Sequence, residues 1–279
     1  MNRRSVLKWG GIAAVAAVAD VVVIEPRWLS VEQKRILIFG GKFQQPVRLV
    51  QLSDLHFSWC VGEALIRRSI REALEQKPDL VCLTGDFVTG ASAVDMAVLA
   101  DMLGELSRRV PTYAVKGNHD GGSWARSYMG ETDETRVDEA LQKAGVALMK
   151  NRAELVRLKG GEFWLAGVGD LWSEDVNAYS TFRPIPPGER VVLMAHNPDT
   201  KDMLRRESWD LMLSGHTHGA QNSIPGLHER FAPVRDKRFV DGLVRWEEAE
   251  RWIHVNRGVG NLMGVRVVCR PEVSVLELV

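Results

Sequence analysis

The stretch Ser214-Gly215-His216-Thr217-His218-Gly219-Ala220-Gln221 sets two imidazoles one residue apart, between glycines, directly after an apolar run. Residues at i and i+2 project to one side only where the backbone is extended, so an extended segment would aim His216 and His218 at one target. Four more clusters have the same character: Ser53-Asp54-Leu55-His56, Gly85-Asp86, Gly117-Asn118-His119-Asp120 and His196-Asn197. Taken singly each is weak, because a lone strand-end histidine is usually a hydrogen-bonded structural residue. Together they offer carboxylate, imidazole and amide donors without thiolate, the set that suits divalent transition metals such as manganese, iron or zinc. Asp54, His56, Asp86, Asn118, His196, His216 and His218 are more donors than one tetrahedral site accepts. They suit two ions ~3.5–4 Å apart, the arrangement of two-metal hydrolases.

Each cluster follows a short apolar run, and residues 47–53, 79–85, 112–117, 190–196 and 209–215 read as strands. Between them, 62–77 places Ile66, Ile70 and Ala73 at helical spacing and is stopped by Pro78. Residues 94–106, with Leu99, Leu103 and Leu106 on one face, 133–144 and the short 198–207 also read as helices. Residues 155–168 read as a hairpin around Gly160-Gly161, and 251–256 and 265–279 as further strands. Alternating strand and helix predicts an α/β layered domain. The strand-rich second half predicts two mixed sheets packed face to face with helices outside. Ligands in such sheets bind beyond the carboxyl ends of strands, so five strands would deliver the five clusters to one edge. His228 and His254 lie outside the clusters and read as surface or core residues.

Lysine plus arginine and aspartate plus glutamate both number 36, so no net charge points to a nucleic-acid partner. Cys60, Cys82 and Cys269 are too few and too scattered for a disulfide framework or a thiolate site, and Cys60, four residues beyond His56, reads as a bystander. The first 24 residues form a basic start and an apolar run from Trp9 to Ile24, shorter than the ~20 residues of a membrane span. They read as a signal peptide or N-terminal anchor, with Ala17-Val18-Ala19 as a cleavage candidate. Arg3-Arg4 followed by Leu7 and Lys8 is similar to a twin-arginine export signal, though Asn2 and Val6 depart from its usual residues. The expected location is periplasmic or membrane-associated. Residues 25–46 interleave Arg27, Lys34, Arg35 and Lys42 with Trp28, Leu29 and 36–39, which reads as a linker or a membrane-surface segment. The catalytic domain is then 47–279.

The ordered set D-x-H, G-D, G-N-H-D, H and G-H-x-H, spanning residues 54–218, resembles the calcineurin-like metallophosphoesterase family. With the twin-arginine-like start and Ala195-His196-Asn197-Pro198-Asp199, it is similar to that family's exported YaeI/YkuE-type phosphodiesterase branch, except that Ala220 stands where the branch usually has a second glycine. The resemblance implies a four-layer αββα fold. It implies that Asp54, His56 and His218 hold one divalent ion, that Asn118, His196 and His216 hold the other, and that Asp86 bridges them. It further implies a metal-bridging hydroxide as nucleophile, His119 as donor to the leaving oxygen and Asp120 as the residue that orients His119. The implied substrate is a phosphodiester or diphosphate, with UDP-2,3-diacylglucosamine or a similar lipid-linked diphosphate of the lipid A pathway as candidate. A phosphomonoesterase or nuclease of the same fold is the alternative. A non-catalytic scaffold is disfavoured because every ligand and the acid histidine are retained. Specificity is expected in the loops 121–132, 170–189 and 220–250, with Arg183, Arg257 and Arg266 as phosphate-contact candidates.

Overall fold

The apolar runs become strands whose alternate residues face two different cores. A computed structural model describes residues 3–279 except 39, 41–44, 91–93, 225 and 247–250. The first sheet comprises β1 (Ser30–Ile36), β2 (Val47–Leu52), β3 (Leu80–Thr84), β4 (Thr112–Val115), β5 (Ala147–Leu148) and the C-terminal β12 (Glu272–Leu278), in the order β1-β12-β2-β3-β4-β5. The second comprises β6 (Arg152–Leu158), β7 (Gly161–Gly167), β8 (Val191–Met194), β9 (Leu211–Ser214), β10 (Gly242–Trp246) and β11 (Arg251–Val255), in the order β10-β11-β9-β8-β7-β6. Both sheets are mixed: β2, β3, β4 and β5 run parallel, as do β7, β8, β9 and β11, while β12 and β10 pair antiparallel with β2 and β11.

Between the sheets, Leu49, Leu80 and Cys82 from the first meet Leu165, Val192, Met194, Leu211 and Leu213 from the second. On the far side of the first sheet, Val50, Leu52, Val81 and Leu83 pack with α2 (Glu63–Glu75), α3 (Met96–Ser107) and α5 (Glu134–Ala144) through Ile66, Ile70, Leu99, Leu103, Val137 and Leu141. The far side of the second sheet buries Val191, Leu193 and Met212 against Leu204, Trp209, Phe239 and Trp246. Strands buried on both faces have no polar face to show. Their sequences therefore read as unbroken apolar runs. Short helices α4 (Gly122–Ser127), α6 (Ala178–Phe182), α7 (Thr200–Met203) and α8 (His228–Phe231) sit in the connections.

The reading of 25–46 as linker or membrane-surface segment needs a correction at its centre. Residues 30–36 form β1, which pairs in parallel with β12 from Ser30↔Glu272 to Ile36↔Leu278. Ile36 is buried while Gln33, Lys34 and Arg35 point to solvent, as suits a charged edge strand. Phe39 and Lys42 lie outside the described residues. The N-terminal α1 (Arg3–Ala19) continues through a wider turn at Asp20–Ile24 and a tight one at Glu25–Arg27. The apolar stretch is consequently longer than the sequence reading. Lys8–Arg27, 20 residues, is long and apolar enough to cross a membrane by length and composition.

Candidate metal centre

All five clusters leave the carboxyl ends of β2, β3, β4, β8 and β9 at one edge of the sandwich, and the seven donors converge there. Side-chain donor atoms of Asp54, His56, Asp86 and His218 lie within 4.8 Å of one another, and so do those of Asp86, His196 and His216. Asp86 belongs to both groups. Its Oδ2 is 3.5 Å from His56 Nε2 and 3.2 Å from His196 Nε2. The seventh donor is Asn118, whose Oδ1 is buried without a partner. Asn118 lies between Gly117, which packs on the Asp86 carboxylate, and His119, whose backbone N–H donates to Asp86 Oδ1 at 2.9 Å.

Sharp turns rather than extended backbone produce this convergence. Asp54, His56, Asp86, His216 and His218 all have left-handed φ, at 50°, 46°, 53°, 70° and 54°. The extended geometry expected for His216 and His218 is therefore absent; each turns at its own residue, and the two rings enter different donor groups. Left-handed backbone costs a non-glycine residue about 1–2 kcal/mol, and such strain gathers at functional sites. Glycine supplies the close approaches. A Cβ on Gly215 would sit 1.8 Å from Ser53 Oγ and 2.2 Å from Asp54 Oδ2. The freed space lets His216 N–H donate to both Asp54 oxygens, at 3.0 and 3.1 Å.

The donor set fits a pair of cations. His56 Nε2 and His218 Nε2 are 3.0 Å apart, and His216 Nδ1 and His196 Nε2 are 3.3 Å apart, so lone pairs converge in pairs. His216 Nε2 and His218 Nδ1, like Asn118 Oδ1, are buried without hydrogen-bond partners. Burial pushes His56 and His216 well below the ordinary imidazole range and His218 down to about 3. Neutral imidazole is the ligating form. Burial also raises the Asp54 carboxyl, to about 7. Asp86 is the exception: burial acts upward, but the surrounding imidazoles, His196 first, hold it well below the carboxylate range. Burial lowers His196, and Asp86 more than reverses this, raising it to about 10. Outer contacts fix the rings: His196 Nδ1 donates to Thr84 O at 2.7 Å, and His56 Nδ1 is hydrogen-bonded to Thr89 Oγ1.

His119 stands beside the cluster, with its ring centroid 5.1 Å from that of His56. Its Nδ1 donates to Met129 O at 2.7 Å, which leaves Nε2 for a substrate. Asp120 does not orient this ring. Its Oδ1 accepts from Phe87 N at 2.7 Å and Val88 N at 3.3 Å, and its Oδ2 from Gly117 N at 2.9 Å. Left-handed backbone at Asp86 exposes those amides, and Asp120 ties the turn after β3 to the turn after β4.

Several residues at the site carry no obvious sequence motif. Trp172 sets its edge against His216 at 4.2 Å, Trp124 against His119 at 4.8 Å, and the two indoles lie 5.4 Å apart, roofing one side of the cluster. Asp170 is buried with Oδ1 unpartnered; Gly169-Asp170 follows β7 just as Gly85-Asp86 follows β3, a signal available in the sequence. Beneath the donor cluster, Gln51 Nε2 donates to Thr84 Oγ1 (3.0 Å) and Ser214 O (2.8 Å), and its Oε1 accepts from His254 Nδ1 (2.8 Å), joining the two sheets. His254 is thus a core residue and His228 lies on α8. The suggested phosphate-binding arginines are engaged elsewhere. Arg257 pairs with Glu272 at 2.6 Å and Glu32 at 3.1 Å, Arg183 lies over the Tyr179 ring, and Arg266 is buried among backbone carbonyls. The three cysteines are free; Cys269 Sγ donates to His218 O at 3.2 Å, and Cys60 is not among the donors.

Residues 47–220 match the family described as calcineurin-like phosphoesterase. The chain is 40% identical over 259 residues to phosphodiesterase YaeI of Escherichia coli strain K12, covering 91% of this chain and 90% of that protein. It is 25% identical to the UDP-2,3-diacylglucosamine pyrophosphatase LpxG of Chlamydia muridarum, covering 83% of each. Among solved structures, Haemophilus influenzae NAD nucleotidase shares the fold with a TM-score of 0.51 at 10% identity, over 77% of this chain and 45% of that one.

Proposed function

The chain belongs to the calcineurin-like phosphoesterase family, hydrolases acting on phosphoester bonds, and on that premise we propose that it is a two-metal phosphodiesterase. The observation that carries the reading is Asp86, one carboxylate shared by both donor groups. Asp54, His56 and His218 would hold one divalent ion, and Asn118, His196 and His216 the other. Bound ions would supply Lewis-acid activation of water and neutralisation of phosphoryl charge. His119 provides the proton for the departing oxygen: Met129 fixes Nδ1–H, and Nε2 donates when the ring is charged. Trp124 and Trp172 shield this side of the cluster from water. Asp120 holds the two turns that position Asp86 and His119.

The substrate is a phosphodiester or diphosphate. A lipid-linked diphosphate such as UDP-2,3-diacylglucosamine is favoured by the similarity to LpxG over 83% of the chain and by the N-terminal apolar helix. Arg3-Arg4 before that helix supports export by a twin-arginine route, with the catalytic domain at the outer face of the membrane. Hydrolysis by metal-loaded protein of bis-p-nitrophenyl phosphate, p-nitrophenyl phosphate, nucleotide diesters and UDP-2,3-diacylglucosamine tests the reading. Cleavage of diesters or the diphosphate ahead of the monoester is expected. Preference for the monoester would make it a phosphomonoesterase.

A further inference from the structure

A cavity of about 620 Å³ opens between the end of the N-terminal helical stretch, the start of α2 and the loop 256–266. None of the seven metal donors, nor His119, lines it. Its size falls within the ~300–1,000 Å³ of small-molecule sites. The walls are mainly apolar, from Val22, Pro26, Trp59, Leu65 and Met263. Among the described residues, the charged ones lining the cavity are Arg27 and Arg68, and no carboxylate lines it.

The rim is apolar too. Trp59 is 93% exposed and Met263 72%, and Val23 and Ile24 on the adjoining turn are also exposed. Large apolar side chains gathered around one opening mark an interaction surface. Val22, which lines the cavity, belongs to the stretch Lys8–Arg27 that is long and apolar enough to cross a membrane. The opening therefore lies where that helix would leave a bilayer. The two cations are adjacent, and neither guanidinium is fully used. Arg27 Nη1 donates to Val22 O and Val23 O at 3.3 and 2.9 Å, and Arg68 Nη1 reaches Arg27 O at 3.5 Å while its Nε stands 3.9 Å from Glu72 Oε1, outside the cavity lining.

We propose that this cavity binds the acyl chain of an anionic membrane lipid, whose headgroup phosphate is held by Arg27 and Arg68. Apolar walls with two guanidiniums and no acid match an amphiphile with a negative head. The helix that enters the membrane ends in the cavity wall, which supplies the lipid by lateral diffusion. The site is a docking point separate from the metal chemistry. Its occupation would also set the orientation of the catalytic edge. Trp59 follows His56 by three residues, and Met263 lies in the loop whose Gly258 and Gly260 pack on Asp54 and Leu55.

The test uses the full chain reconstituted in vesicles of phosphatidylethanolamine and phosphatidylglycerol containing a phosphatidylglycerol with a photoactivatable acyl chain. Adducts are located by mass spectrometry. Labelling of the 59–65 or 261–264 peptides is expected in addition to that of α1. Ala64→Trp, which fills the cavity from α2, should lower those adducts by roughly tenfold, the loss expected when two buried methylenes are given up. Arg27→Gln with Arg68→Gln should lower them comparably, while thermal unfolding and labelling of residues 9–19 stay unchanged. Adducts confined to α1 would overturn the proposal. So would cavity labelling indifferent to both sets of substitutions, or equal labelling by a phosphatidylcholine probe.

Discussion

Arg266 braces the donor cluster from behind, and its removal tests how far donor geometry depends on that support. The side chain is fully buried. Its guanidinium donates to Cys269 O at 3.1 Å, Arg257 O at 2.9 Å, Gly258 O at 3.0 Å and Gly260 O at 2.5 Å. The loop so held returns two bonds to the ligand strand: Val259 N to Ser53 O at 2.9 Å and Gly260 N to Asp54 O at 2.7 Å. Arg266→Met keeps the apolar stem but strands four carbonyls, each costing about 1–3 kcal/mol if left unpaired. Relief from burying a charge works in the opposite direction. At about 1–2 kcal/mol per stranded carbonyl, offset in part by that relief, the net loss should be about 3–5 kcal/mol. For a chain of this size that corresponds to a melting point lower by roughly 6–20 °C. Metal affinity should fall by about 10–100-fold, as when other outer supports of a ligand are lost. Arg157→Met removes the exposed ion pair with Glu162 and should cost about 1 kcal/mol or less. Denaturant unfolding and metal titration of both variants decide the matter. A loss below about 1 kcal/mol with unchanged metal affinity in Arg266→Met would refute the bracing role.

Three other perturbations address separate links. His119→Ala should retain metal and fold yet slow turnover by roughly 10²–10⁴-fold, with a smaller deficit for p-nitrophenolate than for an alkoxide leaving group; a deficit independent of leaving group would exclude proton donation. Ala220→Gly should stabilise the chain by about 0.5–1 kcal/mol, because Ala220 sits at φ 56° where glycine is unstrained; a lower unfolding midpoint would contradict this. Changing Arg3 and Arg4 to lysine should leave the protein in the cytoplasm in a fractionation assay, and an unaltered distribution would exclude twin-arginine export.

The donor cluster was legible because metal chemistry restricts residue types and because strands buried on both faces leave continuous apolar runs before it. Leu80 to Thr84 has no polar face: alternate residues meet the helices and the second sheet. β1 was hidden because its partner β12 comes from the other end of the chain and its Gln33, Lys34 and Arg35 are exposed. Pairing across that distance leaves no local period to read. Asp120 has the right type and place for an orienting carboxylate. Its actual partners, the amides of Phe87, Val88 and Gly117, depend on a left-handed turn at Asp86 that residue type does not encode. Trp124 and Trp172 come from separate loops and meet only in the fold. Asp170 is different, since Gly169-Asp170 after β7 repeats a pattern already visible at Gly85-Asp86.

The central claim is that Asp86 joins two ions in one hydrolytic centre, and metal content measured alongside activity tests it most directly. Manganese-reconstituted protein should carry two ions per chain by elemental analysis and cleave bis-p-nitrophenyl phosphate. His216→Ala, which removes a donor from one group only, should retain about one ion, whereas Asp86→Ala should fall below one and lose diesterase activity. Full diesterase activity at no more than one bound ion per chain, or in Asp86→Ala, would contradict the two-metal centre.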